Sequence, residues 1–506
     1  MYLCPSYTSK FYMRTSYLIY ISLAVFTFLP SLQAQENETT PSNTTNYKVE
    51  GFGSVATGDK TPFWMVSNRY GKVPLESGNG YLEAGVFHNQ QLGKGFHWDA
   101  GLDLIVAGPR YKNVYVQQVY AEVGYKALLL TIGSKEKYSS LWNRNLSSGD
   151  LVLSTNARPI PEINLSIPEY SLVPYTKGWL QLRGDFAVGR SFDTKYLEKF
   201  ITATHYTKNV LWHHKSLHFK IEDTLNHFPF SIELGFQHWA QWGGTSTKED
   251  IGKQPQSLKD FVRIVMGKEG GDGATESDQI NVLGNHYGSY DFRLNYQRDG
   301  WKISSYHQRY FDDKSGMEFQ NRLDGLWGLE LNIPNTSWIK KLVFEYIDTR
   351  DQSGPFHFIM FDHDAHPGRG GGNDNYYNNG EYSTGVSYFN RGLGTALIPA
   401  PEYNTDGRPG FQNNRIRDWH IAAEGEISSQ IGYRLLFTVM NSWGLHAKPF
   451  LEKKSGTSSL ISIDYRHPHL SGWLFTGTIA ADTGNMLDKG IGFSLGVRKT
   501  GILKAW

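Results

Sequence analysis

The chain has 506 residues, with 50 Lys or Arg against 49 Asp or Glu and a formal net charge of +1 at pH 7. This balance gives no support for nucleic-acid binding, which requires a clustered basic surface, and a single cysteine, Cys4, excludes a disulfide framework. The aromatic content of 14% favours strands, and the length allows several domains or one large β structure.

The N-terminal segment, residues 1–34, is predicted to be a secretory signal peptide. Arg14 precedes the apolar run Tyr17–Leu29, which the small-residue exit SLQAQ follows. The run is shorter than the roughly 20 apolar residues that a membrane-spanning helix needs. We therefore predict cleavage after Ala34, with a single membrane anchor as the alternative. The Asn/Thr-rich residues 35–46 predict a flexible polar leader.

Strict alternation of apolar and polar residues predicts β-strands through residues 47–506. In HWDAGLDLIV, residues 97–106, Leu102 and Leu104 share one face while Asp99 and Asp103 share the other. The last strand is expected to end near Lys499, because Lys504 occupies a position where an apolar residue is expected. The same period recurs in nine further segments: Tyr115–Tyr125, Ile232–Gln237, Asp291–Tyr296, Leu342–Thr349, Trp419–Ile427, Tyr433–Met440, Ser459–Arg466, Trp473–Asp482 and Ile491–Val497.

Alternation alone fits either a secreted β-sandwich or a transmembrane barrel. Aromatic residues at strand ends favour the barrel, because barrels carry aromatic girdles at both membrane interfaces. Two long loops, Gly244–Gln279 and Asp348–Arg417, alternate with short turns, as in outer-membrane barrels. We therefore expect an all-β fold, a transmembrane antiparallel β-barrel in the outer membrane, and we identify no helical segment.

The segment GSKEKYSSLWNRNLSSGDLVLSTNARPIPEINLSIPEY, residues 133–170, resembles the signature of the capsule assembly Wzi family. Two later blocks, RIRDWHIAAEGEI and LFTVMNSWGLHAKPFLEKKSGTSSLISIDYRHP, are also similar to that family, and the resemblance extends over residues 47–499. It implies a barrel of about 18 antiparallel strands in the outer membrane of a Gram-negative bacterium, closed by long extracellular loops. It also implies a surface lectin that retains capsular polysaccharide or exopolysaccharide on the cell. Enteric members of the family carry a helical element on the periplasmic side, and this sequence departs from that pattern because no helical segment is identified in it.

The family motif at residues 156–161 combines Asn156, Ala157, Arg158, Pro159 and Pro161. Each proline fixes φ and biases the preceding residue toward extended backbone. We expect the stretch NARPIPEINLSIP, residues 156–168, to be a stiff segment that follows the barrel wall without regular pairing, anchored by Arg158 on a lumenal carboxylate.

Candidate polysaccharide contacts are residues in or beside the long loops that could stack on sugar rings or donate hydrogen bonds. For the aromatic candidates, an interface girdle is the alternative role. For the charged ones, the alternatives are a solvated polar loop or a calcium contact, since their spacing matches no zinc motif. These candidates are Trp239, Trp242, His363, Asp364, His366, Arg369, Tyr376 and Tyr377.

Catalysis has no support in the sequence, and we expect no cofactor and no metal. No Lys-Ser/Thr follows Gly370, Gly371 and Gly372 to form a phosphate loop. The adjacent Asp312 and Asp313 would point apart in a strand, unlike a glycosidase pair. The expected partners are the polysaccharide and outer-membrane lipid, and the expected state is a monomer. An open porin or sugar channel and a barrel enzyme are the rival functions.

Overall fold

The computed structural model describes residues 43–110, 113–139, 141–225, 228–336, 338–357 and 371–506. The predicted signal peptide and most of the predicted leader therefore lie outside the described residues. The first strand begins at Thr44, so the end of the leader belongs to the barrel.

Eighteen antiparallel strands form one closed sheet, as the resemblance implies. Each strand pairs with its neighbours in the chain, and β1 pairs with β18 to close the barrel. The strands are β1 Thr44–Lys60, β2 Glu76–Gly93, β3 Phe96–Gly108, β4 Tyr115–Tyr125, β5 Leu128–Ser134, β6 Glu162–Leu172, β7 Leu180–Arg190, β8 Leu211–Glu222, β9 Phe230–Trp242, β10 Asn285–Arg298, β11 Trp301–Phe311, β12 Gly325–Asn332, β13 Lys341–Asp348, β14 Arg417–Glu426, β15 Ile431–Gly444, β16 Pro449–Arg466, β17 Trp473–Gly484 and β18 Gly490–Ala505.

The closing strand β18 runs beyond the expected end near Lys499, and that expectation was wrong. Pairing with β1 continues to Ala505, opposite Thr44. Gly501 makes this extension possible, because a Cβ there would lie 2.6 Å from the Tyr47 ring. The charge of Lys504 is accommodated at the strand end, where its Nζ lies 4.7 Å from the centre of the Trp506 ring.

The outer face of the barrel is apolar, which decides between barrel and sandwich. In β3, Leu102 and Leu104 are exposed, whereas Asp103 between them is fully buried. A sandwich would bury the apolar set, but a membrane barrel turns it toward lipid. Exposed aromatic residues stand near the strand ends, as expected for interface girdles; they include Tyr125, Trp179, Phe230, Trp301, Trp327, Trp419, Tyr465 and Trp473.

The two ends of the barrel differ in the length of their connections. The start of β1 and the end of β18 lie at one end, where every connection has at most eight residues, and all the long loops lie at the other end. In outer-membrane barrels the short turns are periplasmic and the long loops extracellular. We use these two terms for the two ends below.

Five short helices occur in the described residues, and all lie in extracellular connections, so the expectation of no helix was wrong. The longest, α3, begins after a capping box formed by Ser257 and Asp260 and ends at Gly267, whose φ is +57°. It packs over the outer wall, with Phe261 against Trp242. The helices are α1 Phe63–Val66, α2 Thr194–Phe200, α3 Leu258–Met266, α4 Glu276–Ile280 and α5 Lys314–Met317.

Among the residues that the structure describes, no helix is long and apolar enough to cross a membrane.

The lumen is occupied by three extracellular connections that fold inward, and we call them the plug. They are the described residues within 61–75, 135–161 and 349–416. The largest buried apolar cluster contains members of all three, including Trp64, Leu151 and Leu397. The centre of the molecule is therefore a packed core with polar walls.

Candidate functional site

The plug is held together by hydrogen bonds between two of its segments. Ser154 donates from its backbone nitrogen to the Leu393 carbonyl at 2.7 Å and from its hydroxyl to the Gly394 carbonyl at 2.6 Å. Tyr377 donates its hydroxyl to the Leu151 carbonyl at 2.5 Å. A Cβ at Gly394 would lie 2.1 Å from that hydroxyl, so a residue with a side chain at position 394 would prevent this close contact between the two segments.

The barrel wall anchors the plug through buried carboxylates and amides. Glu345 of β13 accepts hydrogen bonds from the Ser147 hydroxyl and the Ser148 backbone nitrogen, each at 2.7 Å. The plug also supplies an acceptor to the wall: Asp150 accepts a hydrogen bond from the Gln308 side chain of β11 at 2.7 Å. Buried polar groups paired in this way hold the plug in one position.

The family motif, residues 156–161, forms part of this plug, and of the stretch 156–168 only this first half fits the expectation. Residues up to Pro161 are irregular, but β6 begins at Glu162 and pairs regularly with β5 and β7 apart from one irregularity after Ile167. Asn156 donates to the Gly392 carbonyl at 3.3 Å. The motif thus joins the plug to the wall.

Arg158 anchors the motif, but its partners differ from the carboxylate that we expected. Its guanidinium donates to the Val116 carbonyl at 2.8 Å. It also lies between two rings, with its Cζ 4.0 Å from the centre of Tyr115 and 4.3 Å from that of Phe389. A planar cation fits this slot because both of its faces can rest on aromatic faces.

The four aromatic residues predicted to contact polysaccharide are all buried. Trp239 faces the lumen and stacks on His214 at 4.1 Å, whereas Trp242 packs under α3. Tyr376 and Tyr377 lie in the plug, each 1% exposed. These rings contact protein, so we look for a polymer-binding surface elsewhere.

The remaining predicted contacts, His363, Asp364, His366 and Arg369, lie outside the described residues. In the described part of the chain, no group of three or more His, Cys, Asp or Glu side chains is arranged to hold a metal ion.

A buried acidic cluster joins the plug to the connection after β11. Asp374 accepts hydrogen bonds from Ser353 at 2.9 Å and from Ser315 at 3.2 Å. Burial, together with the nearby Asp313 and Asp312, raises the pKa of Asp374 to about 9. Burial likewise raises the pKa of Asp312 to about 8. Both carboxyls are therefore protonated at neutral pH, and they hold the loops together as hydrogen-bonding groups without charge.

A partly exposed extracellular surface combines aromatic rings with cationic side chains. It lies on and beside the hairpin of β15 and β16. About 9–11 residues of a strand suffice to cross a membrane. Because β16 has 18 residues, the hairpin extends beyond the bilayer. We call it the hairpin surface and define it as Arg350, Trp443, His446, Lys448, Phe450, Lys453 and Lys454.

Its rings and cations are in contact. The guanidinium Cζ of Arg350 lies 4.9 Å from the centre of the Trp443 ring, and Lys454 Nζ lies 4.4 Å from that of Phe450. Lys448 and Lys453 are exposed beside them. Apart from Arg350, these residues fall in the block NSWGLHAKPFLEKK, residues 441–454. Trp443 followed by a turn with Gly, His, Lys and Pro was an available signal, but the predicted contacts lie in or beside the two long loops that precede this block.

The family model "Capsule assembly protein Wzi" matches residues 11–397. Among solved structures, the chain is similar to Wzi of Escherichia coli, described as an outer membrane protein involved in group 1 capsule assembly and a carbohydrate-binding β-barrel. The TM-score is 0.56 at 15% identity, over 98% of this chain and 89% of that one. No curated protein matches the chain.

Two further solved structures resemble the chain more weakly. They are OccK5 of Pseudomonas aeruginosa, with a TM-score of 0.46 at 9% identity over 91% of this chain and 98% of that one, and OccAB4 of Acinetobacter baumannii, with 0.46 at 9% over 92% and 100%. Similarity at this level does not bear on function. Because the family model covers most of the chain and the barrel has the same fold as the E. coli protein, the chain belongs to the capsule assembly protein Wzi family.

Proposed function

We propose that this outer-membrane barrel binds capsular polysaccharide or exopolysaccharide and retains it on the cell surface. The observation that carries the proposal is the plug, which fills the extracellular half of the lumen with packed side chains. A barrel closed in this way presents a continuous loop surface to the outside. Family membership and the carbohydrate binding described for the E. coli structure support the same conclusion.

The hairpin surface has the chemistry that this function needs. Aromatic faces suit the apolar C–H faces of sugar rings, while lysine and arginine donate hydrogen bonds to hydroxyls and attract carboxylates. Individual contacts of this kind are weak. A polymer compensates by repeating its units, because attachment at one point raises the effective concentration at the next.

Polymer release from living cells tests the proposal. We expect a strain lacking this chain to make the same total polysaccharide but to release most of it into the medium. Unchanged cell-attached and released fractions would contradict retention as the function.

Substitution of the two partly exposed rings tests the contact surface separately. We expect Trp443→Ala combined with Phe450→Ala to raise the released fraction several-fold, because both aromatic platforms are lost. The matched control is Trp301→Ala, which removes an exposed tryptophan at the periplasmic end. If the chain-deletion strain releases polymer but the double variant does not, retention stands and the hairpin surface is the wrong site.

The proposal includes three finer points. The mature protein begins after Ala34, acts as a monomer surrounded by outer-membrane lipid, and carries out no catalysis. Intact polymer length after incubation with the purified protein is the expected result for the last point, and shortened chains would contradict it.

A further inference from the structure

A cavity lies below the plug, in the half of the lumen that opens at the periplasmic end. Its volume is about 730 Å³, within the range of about 300–1,000 Å³ found for small-molecule sites. Strands β1, β2 and β14–β18 form the wall, and the plug residues Arg69 and Arg144 form the roof. We call this cavity the vestibule.

Charged side chains line the vestibule, and the basic ones predominate. The basic members are Lys48, Arg69, Lys72, Arg144, Lys340, Arg434, Arg466 and Arg498. The acidic members are Glu50, Glu136, Glu424, Glu426 and Asp464.

Three of the five carboxylates are neutralised by lysines. Glu136 pairs with Lys72 at 2.8 Å, Glu426 with Lys340 at 2.6 Å, and Glu424 with Lys341 at 2.9 Å. The other two accept hydrogen bonds from neutral groups: Glu50 from the Tyr81 hydroxyl and Asp464 from the Thr476 hydroxyl.

The arginines, in contrast, are left without carboxylate partners. Within the described residues none of the five lining arginines forms an ion pair. Aromatic rings hold those of the roof: the Arg69 guanidinium lies 4.8 Å from the centre of Phe52, and that of Arg144 lies 4.8 Å from the centre of Tyr138. A guanidinium that rests on a ring keeps its N–H edges free for a carboxylate or phosphate.

The uncharged lining includes apolar residues such as Trp64, Leu436 and Leu474, and it also includes many hydroxyl and amide groups, which suit a ligand rich in hydroxyls. These side chains are Ser67, Asn68, Asn145, Ser147, Ser462, Thr476, Thr478 and Ser494. The combination of unpaired guanidinium groups with a dense hydrogen-bonding wall matches an acidic saccharide better than a neutral one or an apolar ligand.

We propose that the vestibule is a binding site for an anionic saccharide, bearing carboxylate or phosphate groups, that enters from the periplasmic side. Arg434, Arg466 and Arg498 on the wall and Arg69 and Arg144 in the roof bind its charged groups. This site is separate from the hairpin surface, since the plug lies between them, and it does not depend on retention of polymer outside the cell.

Calorimetric titration of the full-length protein in detergent at low salt tests the site. The probes are trigalacturonic acid for a carboxylated glycan, glucose 1-phosphate for a phosphosugar, and maltotriose as the neutral control of matched size. We expect saturable binding of at least one anionic probe, weakened by added salt, and none of maltotriose. Preference between the two anionic probes tells whether the ligand is a carboxylated glycan or a phosphosugar. If neither anionic probe binds, or if maltotriose binds equally well, the proposal is overturned.

Substitutions of the lining arginines test whether the probe binds in the vestibule. We expect Arg434→Gln with Arg498→Gln to weaken binding at least tenfold, and Arg466→Gln alone to weaken it less. Arg298→Gln, on an exposed periplasmic turn outside the cavity, is the matched control, and Lys453→Gln with Lys454→Gln removes cations from the hairpin surface. Loss of binding in the lysine variant but not in the arginine variants would refute the vestibule site. If the double variant fails to insert into the membrane, the single Arg466→Gln variant, at the periplasmic opening of the vestibule, replaces it in the binding measurement.

Discussion

At the scale of single residues, the slot that holds Arg158 makes a specific prediction about stability. Arg158→Ala removes a charged hydrogen bond to the Val116 carbonyl and contacts with two rings. Such contacts together contribute roughly 2–4 kcal/mol to the free energy of unfolding. We expect the Arg158→Ala variant to unfold at a lower urea concentration in detergent than the unaltered protein. The stability of Arg158→Lys should lie between those of Arg158→Ala and the unaltered protein, because an ammonium group keeps the charge but cannot lie flat between rings. Arg298→Ala, an exposed arginine, should change stability little; an equal shift in that control would contradict the assignment.

At the scale of elements, the loop that carries Asp374 should loosen as the pH rises. A carboxyl whose pKa is about 9 when folded and about 4 when unfolded binds more protons in the folded state between those values. The stability of the loop packing therefore falls as the pH increases through this window. We expect proteolysis of residues 349–416 to accelerate from pH 5 to pH 9.

Asp374→Asn should flatten that pH dependence, because the amide is neutral throughout and can still accept from Ser353. Asp406→Asn, in the same loop but exposed, controls for the pH dependence of the protease itself. Parallel profiles for the two variants would show that Asp374 is not the titrating group.

Elements also show what local sequence can and cannot predict. Alternation in β3 predicted the strand and its two faces, because period 2 belongs to each strand alone. The helix α3 was missed although its nine residues, LKDFVRIVM, follow a helical period and Ser257, Asp260 and Gly267 carry capping signals, because Gly-rich stretches on both sides predicted a loop. The burial of Trp239 could not be predicted, because it depends on which face of β9 meets the lumen and on a plug drawn from distant parts of the chain.

At the scale of the whole molecule, the plug decides whether the barrel conducts. The described lumen is filled by side chains such as Tyr376, Tyr377 and Tyr382, each 1% exposed. We therefore expect the purified protein to give no single-channel steps in planar bilayers. Stable steps from the unaltered protein would instead support the porin alternative.

Removal of residues 354–413 should convert this closed barrel into a channel. The two ends of the deletion are close, since Gln352 donates to the Asn414 carbonyl at 3.1 Å and Thr349 donates to the Ile416 carbonyl at 3.0 Å, so a short Gly-Ser joint can connect them. The strands keep their pairing because β13 bonds directly to β14 along its length. We expect the variant to insert, to remain heat-modifiable on gels and to conduct ions. An inserted variant that stays silent would mean that residues 61–75 and 135–161 close the lumen without the longest plug segment.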